Sequence, residues 1–577
     1  MRHRIVLNDA FKQFTLDQDK VLPPEETVQH FRERLKTIDL DILRQTVRID
    51  NGRLGIPVYF STCGRDAAAV IGTKKQMGKG ATPQQAEASA VMELAERFSF
   101  FSFAQNPKNF RVDTYENVRE TAIPFAMIAQ SVHDESDDLP VARKLFEGLP
   151  LKWTWGYDLT RDAEVLMPFD WFYAINEFNG PSAGNCVEEA LLQGICEIVE
   201  RHCSSIVSQG LVKVPAIRLE SATDPAVVDM LQKYRKAGVE LFISDFSLDL
   251  GIPSVGVLAY DPGTFPQLSE IVWTAGTTPN PQKALSRALT EVAQLAGDFN
   301  TGSNYVASGL PKFKRIEDAA FITKPDRRID IQSLPDLSHA NIRVEVQNCL
   351  SALAARGLDV LIVNTAHPQL QIPAFYTIIP GAHFRERARN TSVALFAVKH
   401  VAATYPADEA IRQLTRFNHE LPGKYYVQFY LGSCHLELGH FETATNHFRQ
   451  ALEFDPAEED IASIYTYMAV AFKEQEKYRE ALQVLQRAQD VDSERIEIFN
   501  LVGFCHYKLK EHELAVDAFN RALELNPSSA IDYANLAVNY RELGQKEEAV
   551  HFYELALALD PSIEFAKVGL ARLKGKK

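Results

Sequence analysis

The spacing of apolar and polar residues divides the chain into two parts. Up to Gly381, short apolar runs predict strands, among them residues 67–71, 238–247, 252–260 and 374–379. Amphipathic helices lie between these runs in no strict β-α-β order, which predicts a mixed α/β domain. Beyond Gly381 the strand pattern stops and only helical periodicity continues. An all-helical domain is therefore predicted for the rest of the chain.

A repeat runs through this second part from residue 425 onward. Small residues recur with steps of 37, 34 and 34 residues, at Gly432, Ala469, Gly503 and Ala537. Two series of alanines keep the same steps: Ala444, Ala481, Ala515 and Ala549, and Ala451, Ala488, Ala522 and Ala556. A helix–turn–helix unit of about 34 residues, with small residues where the helices touch, is typical of the tetratricopeptide repeat (TPR).

The repeats define the predicted domain organisation. We expect an α/β domain over residues 1–385, a helical linker over 386–424, and an all-α solenoid of four TPR repeats over 425–577. Three extra residues near 457–459 account for the longer first step. A helix over residues 564–573 is expected to cap the open end of the array.

Length and composition are those of an ordinary multidomain globular protein. The 577 residues exceed a single core and predict about two to four domains, with 46% hydrophobic and 24% charged residues. The net charge of −15 argues against general nucleic-acid binding. Seven cysteines without a C-x-x-C pair predict a reducing compartment. Since neither a signal-peptide pattern nor a long apolar run is present, we expect a cytoplasmic protein without a membrane segment.

A row of carboxylates lies on the helix predicted within residues 182–201. Asn185 is expected to cap this helix. At about 100° per residue, Glu189, Glu197 and Glu200 fall on one narrow stripe. For this helix alone, a solvated acidic face is the simplest explanation of the stripe.

An upstream helix repeats the same ending. Residues 89–97 read S-A-V-M-E-L-A-E-R, so Glu93 and Glu96 share one face with Ser89 and end in the same E-x-x-E-R pattern. Two such helices suggest one site walled by carboxylates, whose mutual repulsion cations would relieve. Oxygen ligands of this kind suit magnesium, which commonly bridges to phosphate oxygens. The alternative is that the carboxylates of both helices are solvent-exposed surface residues that form no site.

Two further segments contribute candidate residues. Residues 72–80 resemble a phosphate-binding Walker A loop, but the glycines are one residue too far apart, and Gly80 replaces the Ser or Thr that would hold magnesium. We therefore expect only a turn that presents backbone amides and Lys79 beside a helix start. A third predicted helix carries Arg287 and Glu291 four residues apart, for which a surface ion pair is the simplest explanation.

Taken together and in order, these motifs resemble the YcaO family. The matching segments are G-K-G-A-T-P at 78–83, S-x-x-x-E-x-x-E-R at 89–97, S-A-G-N-x-x-x-E at 182–189, E-x-x-E-R at 197–201 and the helix of Arg287 and Glu291. The resemblance covers residues 55–385, and residues 1–54 match more loosely. It implies a fold that binds ATP and Mg²⁺ without a Walker motif. It also implies that a backbone amide is activated by phosphorylation of its carbonyl oxygen.

The resemblance further implies roles for individual residues. Magnesium would be bound by Glu93, Glu96, Glu189, Glu197, Glu200 and Glu291. Nucleotide phosphates would contact Ser182, Asn185, Arg201 and Arg287, and the nucleotide would also contact Lys20 and Thr27. Lys79 and Ser89, which lie in the same segments, complete the expected cofactor-binding set. Arg201 and Arg287 are expected to stabilise phosphate by paired hydrogen bonds, and no nucleophile or general base is assigned.

One departure from the family bears on the reaction. Azoline-forming members typically end in a proline-rich P-x-P-x-P tail, whereas this chain continues into repeats and ends in G-K-K. The resemblance therefore favours the branch that forms thioamides or acts as an accessory factor in ribosomal-protein methylthiolation. The expected partners are a peptide or protein substrate, a protein held in the groove of the repeats, and a sulfur-donating protein.

An ATP-binding adaptor that acts only through its repeats is the alternative to an enzyme. The presence of all the glutamates and both arginines that the family implies favours the enzyme. The oligomeric state is left open, with a homodimer among the alternatives.

Overall fold

The computed structural model of the chain contains two compact units. The described residues are 4–72, 75–176, 178–302, 310, 312–384, 391–526 and 529–575. The first unit comprises Met1–Ser136 and Phe146–Val393, and the second comprises Asp137–Leu145 and Ala394–Lys577. The domain boundary predicted between residues 385 and 386 lies outside the described residues. The helices of the predicted linker group with the repeats.

The first part of the chain combines strands and helices, which confirms the predicted mixed α/β domain. The described strands are β1 (Leu43–Arg48), β2 (Val58–Cys63), β3 (Lys75–Lys79), β4 (Arg111–Thr114), β5 (Pro150–Asp158), β6 (Ala163–Pro168), β7 (Pro181–Ala183), β8 (Ala216–Ile217), β9 (Glu240–Asp245), β10 (Ser254–Tyr260), β11 (Val272–Thr277), β12 (Arg328–Ile329), β13 (Leu361–Asn364) and β14 (Ala374–Ile378). The helices of this part are α1 (Pro24–Lys36), α2 (Arg65–Ile71), α3 (Pro83–Gln105), α4 (Tyr115–Val118), α5 (Phe125–Ser131), α6 (Leu139–Glu147), α7 (Phe169–Asn176), α8 (Val187–Gly210), α9 (Pro225–Lys236), α10 (Pro281–Ala296), α11 (Ala320–Thr323) and α12 (Ile342–Ala354).

The described residues of the first unit form three sheets. The first has the antiparallel order β1-β2-β3. The second has the order β11-β10-β9-β8-β12, in which β8 and β12 run parallel and the other neighbours antiparallel. The third has the antiparallel order β4-β5-β13-β14-β7, with β6 also paired to β5. This mainly antiparallel arrangement explains why the helices follow no strict β-α-β order.

Each of three helices lies against a different sheet through a glycine. A Cβ atom on Gly78 of β3 would lie 2.1 Å from a backbone nitrogen of α3, and one on Gly276 of β11 would lie 2.3 Å from a backbone oxygen of α10. In the third case the glycine is in the helix, since a Cβ atom on Gly194 of α8 would lie 2.2 Å from Oγ1 of Thr377 in β14. No side chain fits at these distances, so glycine allows each helix to lie directly on its sheet.

The local structure before α3 differs from the prediction. Residues 67–71, expected as a strand, belong to α2, which ends at Gly72 with a positive φ of 77°. The run A-A-A-V-I is too short for its periodicity to distinguish helix from strand, and its alanines favour a helix. The turn expected before Gly80 is instead β3, which pairs with β2.

The chain after residue 392 is helical throughout its described residues. Its helices are α13 (Val393–Thr404), α14 (Ala407–Glu420), α15 (Tyr425–Glu437), α16 (Phe441–Glu453), α17 (Glu458–Glu474), α18 (Tyr478–Val491), α19 (Ile496–Lys508), α20 (His512–Leu525), α21 (Ala530–Glu542), α22 (Lys546–Leu559) and α23 (Glu564–Leu573). Consecutive pairs from α15 to α22 form the four predicted repeats, followed by α23. The extra residues of the first step lengthen α17, which has 17 residues where α15, α19 and α21 have 13.

The small residues of the repeats lie where helices pack together. Every alanine of the two predicted series has 0% of its surface exposed. A Cβ atom on Gly503 of α19 would lie 2.7 Å from the ring of Phe519 in α20, so a larger residue would force these helices apart. Among the described ranges, no helix is both long enough and apolar enough to cross a membrane.

Candidate functional site

A cavity of about 300 Å³ lies between α3, α8 and α10 of the first unit. The end of β3 and the segment before and within α1 complete its wall. Its polar and charged lining residues are Gln18, Lys20, Thr27, Lys79, Gln85, Ser89, Glu93, Glu96, Arg97, Asn185, Glu189, Gln193, Glu197, Arg201, Arg287, Glu291 and Gln294. Each of the three helices lies on a different sheet, and the charged faces of all three line the same cavity.

The structure brings most of the predicted site residues to this wall. All of them except Ser182 and Glu200 line the cavity. Carboxylates of three helices that are far apart in the sequence therefore share one cavity, which is the arrangement on which the sequence-based hypothesis depends. The binding role of each residue remains a prediction.

Local sequence sets the charged face of α3. The helix begins after Thr82, whose Oγ1 accepts a hydrogen bond from the Gln85 nitrogen at 3.2 Å, and a proline occupies the first helical position. From this start, Ser89, Glu93 and Glu96 are spaced by four and three residues and fall on the same face. The opposite face of α3 is buried against the first sheet.

The cap of α8 lies one residue later than predicted. Cys186, not Asn185, is the N-cap residue, and its Sγ accepts a hydrogen bond from the Glu189 nitrogen at 3.5 Å. The Glu189 carboxylate turns back and accepts hydrogen bonds from the backbone nitrogen of Asn185 at 2.9 Å and from its Nδ2 at 3.1 Å. Its other oxygen accepts from the Val21 nitrogen at 2.5 Å. Glu189 thereby fixes the N-terminal segment beside the start of α8.

Basic side chains of the protein face the carboxylates of the cavity. Nζ of Lys79 lies 2.6 Å from Oε2 of Glu291. Nη2 of Arg201 lies 3.9 Å from Oε1 of Glu197. Sequence spacing predicted an ion pair between Arg287 and Glu291, but the ion pair of Glu291 is with Lys79 from β3. The tertiary structure therefore changes the partner that sequence spacing alone suggests.

Arg97 is a further cavity residue that the sequence-based site set omits. Its Nε lies 3.4 Å from Oε1 of Glu96 and its Nη2 lies 3.9 Å from Oε1 of Glu93. Its Nη1 donates a hydrogen bond to the Phe178 oxygen at 3.2 Å. A signal for it was available, because Arg97 ends the first E-x-x-E-R motif as Arg201 ends the second.

Glu200 and Ser182 lie behind the wall instead of on it. Oε2 of Glu200 accepts hydrogen bonds from Nε of Arg287 at 2.9 Å and from the Thr277 nitrogen at 3.2 Å. Glu200 thus orients an arginine of the cavity and joins α8 to the end of β11. Ser182 is 0% exposed, and its Oγ has no hydrogen-bond partner. It faces α8 near Gly194, beside the hydroxyl of Thr377.

Burial and neighbouring charge shift the carboxyl pKa values in opposite directions. Burial raises the pKa of Glu93 and of Glu197, and it raises the pKa of Glu96 well above its usual value, with nearby carboxylates adding to the shift. For Glu291, burial is outweighed by Lys79 and by the nearby arginines, which lower the pKa to about 2. Negative charge is thus balanced on the α10 side of the cavity and incompletely balanced between α3 and α8.

The donor set fits a hard cation only after rearrangement. Within the described ranges, no three acidic, histidine or cysteine side chains already lie close enough together to hold a metal ion. The carboxylates are spread around the wall, where Glu189 accepts hydrogen bonds from Val21 and Asn185 and the others face arginine or lysine. Their oxygens are nevertheless the ligand type that Mg²⁺ prefers.

Comparison with known families places the first unit. The model described as YcaO cyclodehydratase, ATP- and Mg²⁺-binding, matches residues 77–383, which is more than half of the chain. The chain belongs to the YcaO family. ATP and Mg²⁺ are the cofactors of that family. In the second unit, residues 428–532 match the TPR domain of cytochrome c-type biogenesis protein H, and residues 530–563 match a tetratricopeptide repeat model.

Individual relatives of this YcaO chain are distant. An uncharacterized protein of Methanothermobacter thermautotrophicus is 28% identical over 380 residues, covering 62% of this chain and 93% of the relative. The ribosomal protein S12 methylthiotransferase accessory factor YcaO of Escherichia coli is 27% identical over 243 residues, covering 38% of this chain and 40% of that protein.

Two solved structures share the fold. A heterocyclase in complex with substrate and cofactor matches with a TM-score of 0.55 and 22% identity, covering 66% of this chain and 55% of the heterocyclase. YcaO from Methanopyrus kandleri bound with AMPPCP and Mg²⁺ matches with a TM-score of 0.50 and 21% identity, covering 65% of this chain and 95% of that chain. At this level of identity the similarity establishes the fold of the first unit.

The predicted site set also contains none of the four glutamines that line the cavity, which are Gln18, Gln85, Gln193 and Gln294. Gln193 of α8 accepts a hydrogen bond from Nη1 of Arg287 at 3.1 Å, and its position on the stripe of Glu189 and Glu197 could have revealed it. Gln18 lies in the N-terminal segment, whose path depends on tertiary contacts. No pattern in the local sequence indicates that Gln18 reaches the cavity.

Proposed function

We propose that this YcaO chain binds ATP and Mg²⁺ in the cavity between α3, α8 and α10 and uses them to activate the backbone amide of a peptide or protein. Activation would place a phosphoryl group on the carbonyl oxygen and lead to a thioamide or a related modification. The proposal rests on one observation: carboxylates and arginines from three helices line a single cavity. Oxygen ligands for magnesium thereby lie beside paired donors for phosphate.

The carboxylates form the proposed magnesium side of the site. Those that line the cavity are Glu93, Glu96, Glu189, Glu197 and Glu291. Because burial raises the pKa of Glu93, Glu96 and Glu197, the protein's own cations do not fully balance their charge, and a divalent cation would do so. Glu200 is proposed to orient Arg287 with Oε2, and its Oε1, which lies 3.9 Å from Nη1 of Arg201, is proposed to bind a metal ion once Arg201 moves to phosphate.

The basic residues form the proposed phosphate side of the site. Lys79, Arg201 and Arg287 already lie among the carboxylates, where they substitute for metal ions. With magnesium on the carboxylates, these cations are released to donate to phosphate oxygens. The further proposed nucleotide contacts are Lys20, Thr27, Ser89, Ser182 and Asn185.

The chemistry assigned to the protein is positioning and charge compensation. Bound ATP supplies the phosphoryl group. Phosphoryl transfer depends mainly on alignment and on neutralising the charge of the phosphate oxygens. Arginines and carboxylates fixed on three helices that each lie on a sheet provide a rigid frame for both.

The repeats are proposed to recruit the substrate or a partner, including a protein that donates sulfur. TPR arrays present an extended concave surface on which peptides and protein segments bind. The family matches at residues 428–532 and 530–563 support such an array in this chain.

An accessory role is the second candidate function. It is favoured by the Escherichia coli relative, which is named a methylthiotransferase accessory factor. In that case the chain would bind ATP and act through its repeats without modifying a peptide itself.

The first test is equilibrium ATP binding by the full chain, with and without Mg²⁺, compared with Glu197→Gln. We expect binding that requires Mg²⁺ and an affinity at least about tenfold lower in the variant. Glu87→Gln is the matched control, because Glu87 lies on α3 but bonds to Arg32 and Thr46 outside the cavity. Failure of the wild-type chain to bind ATP in the presence of Mg²⁺ would overturn the proposal.

A second measurement separates the enzyme from the accessory factor. Partners captured by the full chain are incubated with ATP, Mg²⁺ and sulfide, and their masses are measured for replacement of a backbone oxygen by sulfur, in which sulfide attacks the phosphorylated amide carbon and the oxygen leaves as phosphate. An enzyme forms ADP together with the modified peptide, and Glu197→Gln abolishes both. An accessory factor binds ATP and the partner but leaves the mass of the partner unchanged.

A further inference from the structure

The first repeat contains two histidines that face each other across its turn. His435 lies in the last turn of α15, and His440 is the N-cap residue of α16. Their Nδ1 atoms are 3.3 Å apart. The backbone fixes this geometry, because the His440 nitrogen donates a hydrogen bond to the His435 oxygen at 2.8 Å.

A third histidine orients one ring of the pair. His447 of α16 stacks on His435, with ring centroids 5.3 Å apart and planes inclined by 8°. Nδ1 of His447 lies 2.8 Å from Oε1 of Gln428, whose Nε2 donates to Asn418 at 2.8 Å. This amide orientation makes Oε1 the acceptor, so the His447 proton lies on Nδ1. His447 therefore supports the His435 ring without occupying its Nδ1.

The third repeat shows a simple hydrogen-bonded pair at the same positions. These positions are 71 residues further along the chain, at His506 and Glu511. The Glu511 nitrogen donates to the His506 oxygen at 2.9 Å, as in the first repeat, and Nδ1 of His506 lies 2.7 Å from Oε2 of Glu511. There an imidazole N–H meets a carboxylate. In the first repeat two imidazole nitrogens meet at 3.3 Å, which is the length of a weak N–H···N hydrogen bond when no ion lies between them.

The separation of the two nitrogens matches the distance between two ligands of one tetrahedral metal ion. Imidazole nitrogens that lie about 2.0–2.1 Å from one tetrahedral ion are about 3.3–3.4 Å apart. We propose that His435 and His440 bind one divalent transition-metal ion between their Nδ1 atoms, with water in the remaining positions. The ion would join the end of α15 to the start of α16 and stiffen the first repeat.

The surroundings keep the nitrogens available. Each Nδ1 faces the other imidazole, whereas in the third repeat a carboxylate takes the place of the second ring. The site has two protein ligands, in keeping with the lack of any three-ligand group among the described residues. Such a pair is a chelate of moderate affinity instead of a closed structural metal site.

Ligand type separates this site from the carboxylate cavity. Imidazole nitrogen favours late first-row ions, in the order Zn²⁺ and Ni²⁺ below Cu²⁺, whereas oxygen ligands favour Mg²⁺. The proposal therefore does not depend on the function proposed for the cavity. Zn²⁺ matches the tetrahedral separation, and Cu²⁺, which prefers tetragonal geometry but binds imidazole more tightly, serves as the spectroscopic probe.

The test is a titration of the nucleotide-free full chain with Cu²⁺, followed by Ni²⁺ and Zn²⁺, in the presence of saturating Mg²⁺. Electron paramagnetic resonance of the Cu²⁺ sample reports the number of coordinated nitrogens. Beyond the Cu²⁺ that other side chains bind in both wild type and variant, we expect one equivalent with two imidazole nitrogens, and weaker binding of Ni²⁺ and Zn²⁺ at that site. In His440→Glu, which installs the residue types of the third repeat, the affinity for this equivalent should fall at least about tenfold.

A gain-of-function variant tests the same geometry in the opposite direction. Glu511→His places two histidines at the positions of the third repeat and should add a second Cu²⁺ equivalent. Circular dichroism checks that both variants keep their helices. The proposal is overturned if His440→Glu retains the nitrogen-coordinated Cu²⁺ with unchanged affinity, or if Glu511→His gains no equivalent.

Discussion

Arg97 shows how single side chains balance charge in the cavity. Its guanidinium contacts both carboxylates of the first E-x-x-E-R motif, and its side chain is 20% exposed. In the absence of metal it is the closest cation to Glu93 and Glu96. An arginine in this position stabilises the metal-free protein and competes with Mg²⁺ for the same oxygens.

We predict that Arg97→Gln destabilises the metal-free chain by about 1–2 kcal/mol, since a partly exposed pair contributes less than a buried one. Mg²⁺ should restore more stability to this variant than to the wild type, because the competing cation is gone. Denaturant unfolding followed by tryptophan fluorescence, with and without Mg²⁺, measures both effects.

Arg32→Gln is the matched control for this prediction. Arg32 pairs with Glu87 on the outer face of α3, and its side chain is 51% exposed. It should change stability by no more than about 0.5 kcal/mol. An equal response of Arg97→Gln and the wild type to Mg²⁺ would contradict the role assigned to Arg97.

At the scale of elements, a cluster of three histidines joins the end of α5, the middle of α8 and the segment after β14. The rings of His133 and His383 stack with centroids 3.8 Å apart, and the His383 nitrogen donates to Nδ1 of His202 at 3.0 Å. Burial and the neighbouring histidines lower the pKa values of His202 and His383 to about 4. The packing of these elements therefore requires neutral imidazoles.

The stability of the first unit should consequently fall as the pH falls from about 6.5 towards 4. In this window the unfolded chain binds protons at histidines, with a pKa of about 6.5, while folded His202 and His383 do not. Excess proton binding by the unfolded state makes the free energy of unfolding decrease with decreasing pH. His383→Gln should reduce this slope by up to about 1.4 kcal/mol per pH unit.

Tryptophan fluorescence during urea unfolding at several pH values measures the slope. His30→Gln serves as the control, because His30 is exposed on α1 and should leave the slope unchanged. A slope that is the same in His383→Gln as in the wild type would show that the cluster does not titrate on unfolding.

At the scale of the whole molecule, the chain consists of two units with separate cores. All residues of the carboxylate cavity lie in the first unit, and the repeats with their own buried alanines lie in the second. All four tryptophans of the chain fall within Phe146–Val393. Fluorescence therefore reports on the first unit, whereas far-UV circular dichroism also reports on the helices of the repeats.

ATP with Mg²⁺ is predicted to stabilise the first unit selectively. At a ligand concentration a hundred times the Kd, binding contributes about 2.7 kcal/mol to the folded state. The thermal transition seen by tryptophan fluorescence should rise, and the repeat transition seen by circular dichroism should not. The same shift in both transitions would instead mean that the two units unfold together.

The sequence predicted those features that depend on local periodicity. The repeat could be read from the steps between Gly432, Ala469 and Gly503, because each unit packs on its neighbour in the same way. The shared faces of Glu93 and Glu96 on one helix and of Glu197 on another follow from the turn of the α-helix alone. The sequence also predicted that these helices converge, because two helices with the same E-x-x-E-R ending suggest one shared site.

Only the tertiary structure decided which groups meet across the cavity. Lys79 faces Glu291 although 212 residues separate them in the chain, while Arg287 turns to Glu200. Local spacing favoured the pairing of Arg287 with Glu291, but the packing of α10 on its sheet brings it beside β3 and α8. Contacts between distant segments depend on how sheets and helices pack, and no local sequence pattern predicts this packing.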